Sequence, residues 1–314
     1  MSLQSKSQPV SILESRPDSI VPGNRPAPGK PAWLKAKIPG GEAYSKVRGI
    51  VEAHGLNTVC KSASCPNLGE CWAKGTATFM ILGNICTRGC RFCDVPKGRP
   101  GAYDRDEPAR VAQSVRLMGL NYAVITSVAR DDLPDQGADV WAETIRAVRE
   151  AAPRCRIEVL IPDMQGNIGL VDRILDARPD ILNHNFETVP RLQKGVRGRG
   201  NIVDSSKVLS HAKARGFATK TSLMLGLGES TEELQDMIRY IASLKVDILT
   251  MGQYLQPTRD HLPVHRYVPP VEFEAMRVYS LENGIRSCTS APMVRSSYHA
   301  DVQSAPLFTD SAAS

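Results

Sequence analysis

Six of the eight cysteines in this chain fall into two trios, and clustered thiols are the raw material of metal chemistry. Cys86-Thr87-Arg88-Gly89-Cys90-Arg91-Phe92-Cys93 has CX3CX2C spacing, directly after a run of strand-like residues. Three thiolates on a tight glycine-containing loop can hold three irons of a cubane cluster and leave the fourth iron without a protein ligand. That open iron is the chemical point, because it can bind a small molecule through amine and carboxylate groups. A structural zinc site would pair two CxxC knuckles, and only Cys90 and Cys93 make one. A catalytic disulfide would leave Cys86 unexplained. Cys60, Cys65 and Cys71 form the second trio, CX4CX5C. By itself this spacing is open between zinc, a cluster and unrelated buried thiols, but its nearness to the first trio argues against accident. Cys155 and Cys288 have no partner at ligand spacing and read as packing thiols.

Elements must position these loops. A chain of 314 residues suffices for one large α/β domain or two ordinary ones and needs no disulfide staple. Strand candidates at 76–85, 122–128, 157–161, 181–188, 219–227 and 248–255 are short, apolar and often β-branched, which suits strands buried on both faces. Helical patterns fill the gaps at 109–118, 139–151, 170–177, 206–214, 231–244 and 271–283. Ser230 with Glu233 three residues later is a helix-start signal, and Gly119, Gly216 and Gly284 stand where helices end. Six successive βα units predict a parallel sheet with right-handed crossovers. The expected fold is therefore α/β, a partial (β/α)6 TIM-type barrel with its site at the carboxyl ends of the strands. An open doubly wound sheet is the alternative, since periodicity does not show whether a sheet curls.

Composition narrows the partners. The net charge of +6 is modest and the basic residues are scattered, which speaks against nucleic acid and leaves room for steering of an acidic partner. No apolar run approaches the ~20 residues of a membrane helix. The N-terminus lacks a secretory apolar region, and with Glu14, Asp18 and many prolines it makes a poor transit peptide, so the expected compartment is the cytoplasm. In a reducing compartment disulfides are an improbable use for these thiols.

Segment by segment, the motifs resemble those of lipoyl synthases, a radical-SAM family. The likeness runs from about residue 31 to 303, and its motifs begin with Thr58-Val59-Cys60 through Cys71-Trp72, Thr78-Phe79-Met80 and Cys86 to Val95. They continue through Ile125-Thr126-Ser127-Val128, Arg130-Asp131-Asp132-Leu133, Asn183-His184-Asn185, Glu187-Thr188-Val189, Leu223 to Glu229 and Gly252 to Thr258, and the last is Arg295-Ser296-Ser297-Tyr298-His299. CX3CX2C alone indicates only the radical-SAM superfamily; the CX4CX5C trio and the late RSSY indicate lipoyl synthase. A biotin synthase-like or methylthiotransferase-like sulfur inserter is the nearest rival, and a non-enzymatic iron–sulfur electron carrier the more distant one.

The resemblance implies two [4Fe–4S] clusters and S-adenosyl-L-methionine. Cys86, Cys90 and Cys93 would hold the cluster that binds S-adenosylmethionine, giving a 5′-deoxyadenosyl radical able to attack an unactivated methylene. Cys60, Cys65 and Cys71 would hold an auxiliary cluster that donates sulfur, with Ser297 as its fourth ligand and Ser296 as the competing register. Ser127, Asn185, Glu187, Gly226 and Gly228 are the implied cofactor contacts. Sulfur would enter carbons 6 and 8 of an octanoyl group carried on a lysine. The implied partners are an octanoylated lipoyl carrier protein (a 2-oxoacid dehydrogenase E2 lipoyl domain or glycine-cleavage H protein) and a low-potential donor such as ferredoxin or flavodoxin. On this reading residues 1–40 are a flexible or wrapping arm, 41–75 the auxiliary-cluster segment, 76–285 the barrel and 286–314 a C-terminal extension. The two extensions are expected to cover the barrel mouth. Trp33 and Leu34 are candidate anchors for the arm, and the stretch 198–203 lacks the aromatic-containing run expected after Arg197.

Overall fold

Short apolar runs alternating with amphipathic ones fold into a single eight-stranded sheet wrapped by helices. The structure is a computed structural model that describes residues 29–34, 40–63, 65–74 and 76–308. In chain order the elements are α1 (Glu42–Ala53), β1 (Asn57–Thr58), α2 (Val59–Ser62), α3 (Leu68–Ala73), β2 (Thr78–Ile81), α4 (Glu107–Met118) and β3 (Tyr122–Ser127). Next come α5 (Ala138–Ala151), β4 (Arg156–Leu160), α6 (Ile168–Asp176), β5 (Ile181–Asn183), α7 (Gln193–Arg197), α8 (Ile202–Ala214) and β6 (Ala218–Leu225). The chain closes with α9 (Thr231–Ser243), β7 (Ile248–Gln253), α10 (Pro270–Glu282), β8 (Ser287–Ser290) and α11 (Ala300–Phe308).

Strands β2 to β8 are all parallel and pair in sequence order, with β1 added antiparallel to β2. A doubly wound sheet reverses its strand order at a switch point. No reversal occurs here, so the sheet curls one way as a partial barrel. The six expected βα units are present, followed by the additional strand β8. Helix α5 shows why the layers hold: Val140, Trp141, Thr144, Ile145 and Val148 recur at helical spacing and are all buried toward the sheet. Helix α9 starts on the expected capping box, with Ser230 Oγ accepting from Glu233 N at 3.2 Å and Glu233 Oε2 accepting from Ser230 N at 2.9 Å.

Two features differ from expectation. The run 181–188 is a strand only as far as Asn183. Glu187 has φ of 69°, which no continuous strand tolerates, and it rejoins the sheet only through an isolated bridge to Leu223. The second is the placement of the extensions. The sheet is not hydrogen-bonded between β1 and β8, and the C-terminal segment runs back along that open seam. Gln253 N donates to Pro292 O at 3.1 Å near the carboxyl ends of the strands, while Ser287 Oγ donates to Gln303 O at 2.7 Å near the amino ends. Gly252 permits this course, since a Cβ there would collide with the Val294 carbonyl. Asn67 Nδ2, from the N-terminal segment, donates to Met293 O at 2.7 Å. Among the described residues the extensions thus meet along the seam and at the amino ends of the strands. Of the two anchor candidates Trp33 is exposed and Leu34 half-buried, and most of the expected arm (1–28 and 35–39) lies outside the described residues.

Candidate active site

Past Ile81, β2 turns sharply at Leu82 (φ 68°) and Gly83 (φ 90°). The buried carboxylate of Glu107 fixes that turn by accepting from Leu82 N at 2.5 Å. The loop that follows carries Cys86, Cys90 and Cys93 and is closed at its base by Cys86 N donating to Pro96 O (2.8 Å) and Gly98 N donating to Cys86 O (2.9 Å). Ala129 N at 3.3 Å and Arg88 N at 3.4 Å both donate to Cys86 Sγ, the kind of outer support that orients a metal-bound sulfur. Burial, then the neighbouring thiols, push Cys90 up to about 12; burial pushes Cys93 up to about 11. Such thiols stay protonated at neutral pH unless a cationic metal group displaces the proton.

Behind this loop lies an ion network. Arg88 Nε and Nη2 donate to the Asp131 carboxylate at 2.9 Å each, and Nη1 meets Asp163 Oδ1 at 2.7 Å. Asp163 Oδ2 lies 3.5 Å from Arg197 Nη2. The four side chains are 8%, 7%, 2% and 7% exposed, so the two arginines and two aspartates compensate one another out of water. They tie together the loops after β2, β3 and β4 and helix α7. The Arg197 carbonyl also accepts from Cys90 Sγ at 3.5 Å. The sequence pattern drew attention to the Asp131 segment and to the stretch after Arg197 separately, but did not join the four, because they are far apart along the chain.

The residues singled out as cofactor contacts fall near the same loop, with different surroundings. Glu187 lies beside the trio, where its charge acts on Cys90 and Cys93. Burial pushes its carboxyl up to about 7, against the opposing pull of Arg197 and Asn185. Asn185 Oδ1 and Ser127 Oγ are buried without a hydrogen-bond partner among the described residues, an arrangement that a polar ligand would relieve. Phe186 turns the other way, its ring 6.2 Å from that of Tyr240 on α9. Gly226 forms a tight βα turn: its N–H donates to Glu229 Oε1 at 2.6 Å, and a Cβ would strike Gln253 and the Arg266 carbonyl. Gly228, two residues on, faces the His265 ring. Asn183 instead joins a buried network, donating to Glu158 Oε1 at 2.8 Å. Lys220 Nζ meets the same carboxylate at 2.9 and 3.0 Å, and Tyr122 OH donates to it at 2.6 Å.

The other trio sits at the opposite end of β2. Helix α2 starts on Thr58, whose Oγ1 accepts from Lys61 N at 3.3 Å, and it carries Cys60; α3 carries Cys71. Burial, then the charges of Cys60 and Cys65, push Cys71 up to about 12. All three thiols line a cavity of about 630 Å³ with Ser297, beneath the amino ends of β2, β3 and β4. Ser296 does not line it. Strand β2 spans roughly 10 Å at ~3.3 Å per residue, so the trios flank the barrel interior from its two ends. Among the described residues no three His, Cys, Asp or Glu side chains converge on a single-ion site. A tetrahedral zinc at ~2.3 Å would draw its sulfurs within about 4 Å of one another. The thiols within each trio lie close enough to act on one another electrostatically, and three thiolates so grouped can serve three irons of a cubane. Cys155 and Cys288 are buried packing thiols away from both sites.

Residues 80–241 match the Radical SAM superfamily. The chain is 50% identical over 285 residues to a mitochondrial lipoyl synthase of Nematostella vectensis, covering 90% of this chain and 97% of the relative. A lipoyl synthase of Koribacter versatilis is 53% identical over 281 residues, covering 89% and 92%. Among solved structures, Streptococcus suis SuiB bound to S-adenosylmethionine superposes with a TM-score of 0.53 at 11% identity, over 68% of this chain and 51% of that one. That likeness bears on the fold alone. Near-full-length identity of this order, with both cysteine trios in place, shows that the chain belongs to the lipoyl synthase family of radical-SAM enzymes.

Proposed function

We propose that this enzyme inserts sulfur at carbons 6 and 8 of an octanoyl group amide-linked to a lysine of a carrier protein, an E2 lipoyl domain or an H protein. Cys86, Cys90 and Cys93 would hold the [4Fe–4S] cluster that binds S-adenosylmethionine. Cys60, Cys65, Cys71 and Ser297 would hold the auxiliary [4Fe–4S] cluster. When bound, these groups supply the hydrogen-abstracting radical and the sulfur. The chain's own residues do the rest. Asn185 and Ser127 offer unpartnered oxygens to the cofactor's polar groups, with Glu187 beside them. Gly226 and Gly228 keep the β6 turn narrow by letting Gln253, the Arg266 carbonyl and the His265 ring pack against its backbone. The Tyr122–Glu158–Lys220–Asn183 network pairs buried charges and polar groups in the lower barrel interior, with Asn183 Oδ1 the one of its atoms left without a partner among the described residues. The amino-end cavity gives an acyl-lysine arm a course to the auxiliary trio. A serine oxygen is a hard ligand on a soft cluster, easier to displace than a fourth thiolate, which suits a group consumed as it reacts.

The observation that carries this reading is the meeting of Ser297 with Cys60, Cys65 and Cys71 on one cavity, across β2 from the other trio. The setting would be the cytoplasm, with ferredoxin or flavodoxin as reductant; no helix among the described residues is long and apolar enough to cross a membrane. The test is to incubate the anaerobically reconstituted, reduced enzyme with S-adenosylmethionine and an octanoylated carrier peptide. Mass spectrometry should show two sulfur atoms gained per peptide. Cofactor cleavage with no sulfur gained would refute it.

A further inference from the structure

Basic residues that look scattered along the chain are gathered by the fold around one loop. Arg91, Lys97, Arg99, Lys194, Arg199 and Arg259 are all exposed. Arg91 lies within the Cys86–Cys93 loop; its N donates to Val196 O at 2.9 Å, and its O accepts from Leu262 N at 3.1 Å. This brings the segment from Lys194 to Arg199 and the segment from Arg259 to Leu262 against the cysteine loop. His261 completes the second contact, its ring nitrogen 3.0 Å from Cys93 O. Lys97 follows Pro96, the partner of Cys86 N, and its side chain lies over Gly89, 3.5 Å from where a Cβ would stand. Among the described residues no carboxylate pairs with any of the six. Farther along the molecule Arg191 pairs with Glu233 and Arg266 with Glu272, so an unpaired cluster is not the rule here.

We infer that this basic crown is the docking surface for an acidic one-electron carrier protein that reduces the centre held by Cys86, Cys90 and Cys93. The inference rests on the proposed function, which requires an electron from outside. Location favours it: Gly89 and Arg91, the neighbours of Cys90 on either side, are both exposed, so the surface reaches the loop that carries the thiols. Charge favours it as well. Exposed cations without carboxylate partners steer an acidic protein and set its orientation, and transient redox encounters use small polar surfaces of this kind. The acyl carrier would work from the amino-end cavity, so the two partners do not compete for one face. The step is electron transfer alone: the carrier is oxidised by one electron, the centre is reduced by one, and no atom or proton moves.

The test compares the holoenzyme with its Lys97→Glu/Lys194→Glu/Arg199→Glu variant, using reduced flavodoxin as the acidic carrier and dithionite as a small reductant that needs no docking. Flavodoxin affinity by calorimetry should weaken about tenfold or more in the variant, and its dependence on salt should flatten. The ratio of flavodoxin-driven to dithionite-driven S-adenosylmethionine cleavage should fall by a similar factor. Arg116→Glu/Arg146→Glu, on the outer helices, should change neither. An unchanged affinity and an unchanged ratio overturn the inference, even if both rates fall together. Unchanged flavodoxin affinity with weakened binding of the octanoylated carrier overturns it too, and assigns the crown to that carrier. A wild-type holoenzyme that fails to cleave the cofactor with dithionite counts against the proposed function, while the affinity comparison still decides the docking surface.

Discussion

Arg88 Nη1 lies 2.7 Å from Asp163 Oδ1, which fastens the cysteine loop after β2 to the loop after β4 through a buried ion pair. Both side chains are nearly sealed from solvent, and without the Asp163 carboxylate two buried arginines, Arg88 and Arg197, would be left with Asp131 as the quartet's one counter-charge. Asp163→Ala should therefore destabilise the metal-free protein by about 3–5 kcal/mol. Urea unfolding measures this, and a cycle with Arg88→Met should show strong coupling. A loss below about 1 kcal/mol would mean that the quartet does not hold the loops together.

The same network makes a pH prediction through His184. Burial, then the Arg197 charge, holds its imidazole down to about 4. The ring nitrogens sit 2.8 Å from Ile161 O and 2.9 Å from Ser205 Oγ, which suits the neutral form. As pH falls below about 6.5 the unfolded chain takes up the proton first, so stability drops until about pH 4 and then levels. The full effect is about 3 kcal/mol, and His184→Gln should flatten the profile over that window. Parallel profiles for the two proteins would contradict it.

Division of labour between the trios is testable by separating two products. Cys60, Cys65 and Cys71 changed together to Ala should stop sulfur insertion while 5′-deoxyadenosine still forms, because the other loop is intact. Loss of both products in a folded variant that keeps its Cys86–Cys93 cluster would argue against separate roles.

Ser297→Ala should prevent completion of the lipoyl group and loosen the C-terminal segment, read as faster amide exchange across α11. Ser296→Ala should be milder, since Ser296 does not face the cavity. Full lipoyl formation by Ser297→Ala would remove Ser297 from the ligand set, and a reversed ranking would move the ligand to Ser296.

Much of this was legible in the sequence because the signals were local. Each trio lies within a dozen residues, and six apolar runs marked six strands. Strand β8 escaped notice because Ser287-Cys288-Thr289-Ser290 has no apolar run; it is a strand through its pairing with β7. The end of β5 at Asn183 and the positive φ at Glu187 are backbone features that residue type does not reveal. The Arg88 quartet and the basic crown join positions that only the closed fold makes neighbours. Which end of the barrel the extensions would cover was likewise invisible, since it depends on the seam between β1 and β8.

The most direct measurement is iron content with Mössbauer spectroscopy on the anaerobically reconstituted protein and its trio variants. Two independent centres require about eight irons per chain in the wild type, all in [4Fe–4S] form. Cys86, Cys90 and Cys93 changed together to Ala should leave about four, as should Cys60, Cys65 and Cys71 changed together. A wild type holding only one cluster, or a triple variant that keeps both, would contradict the account.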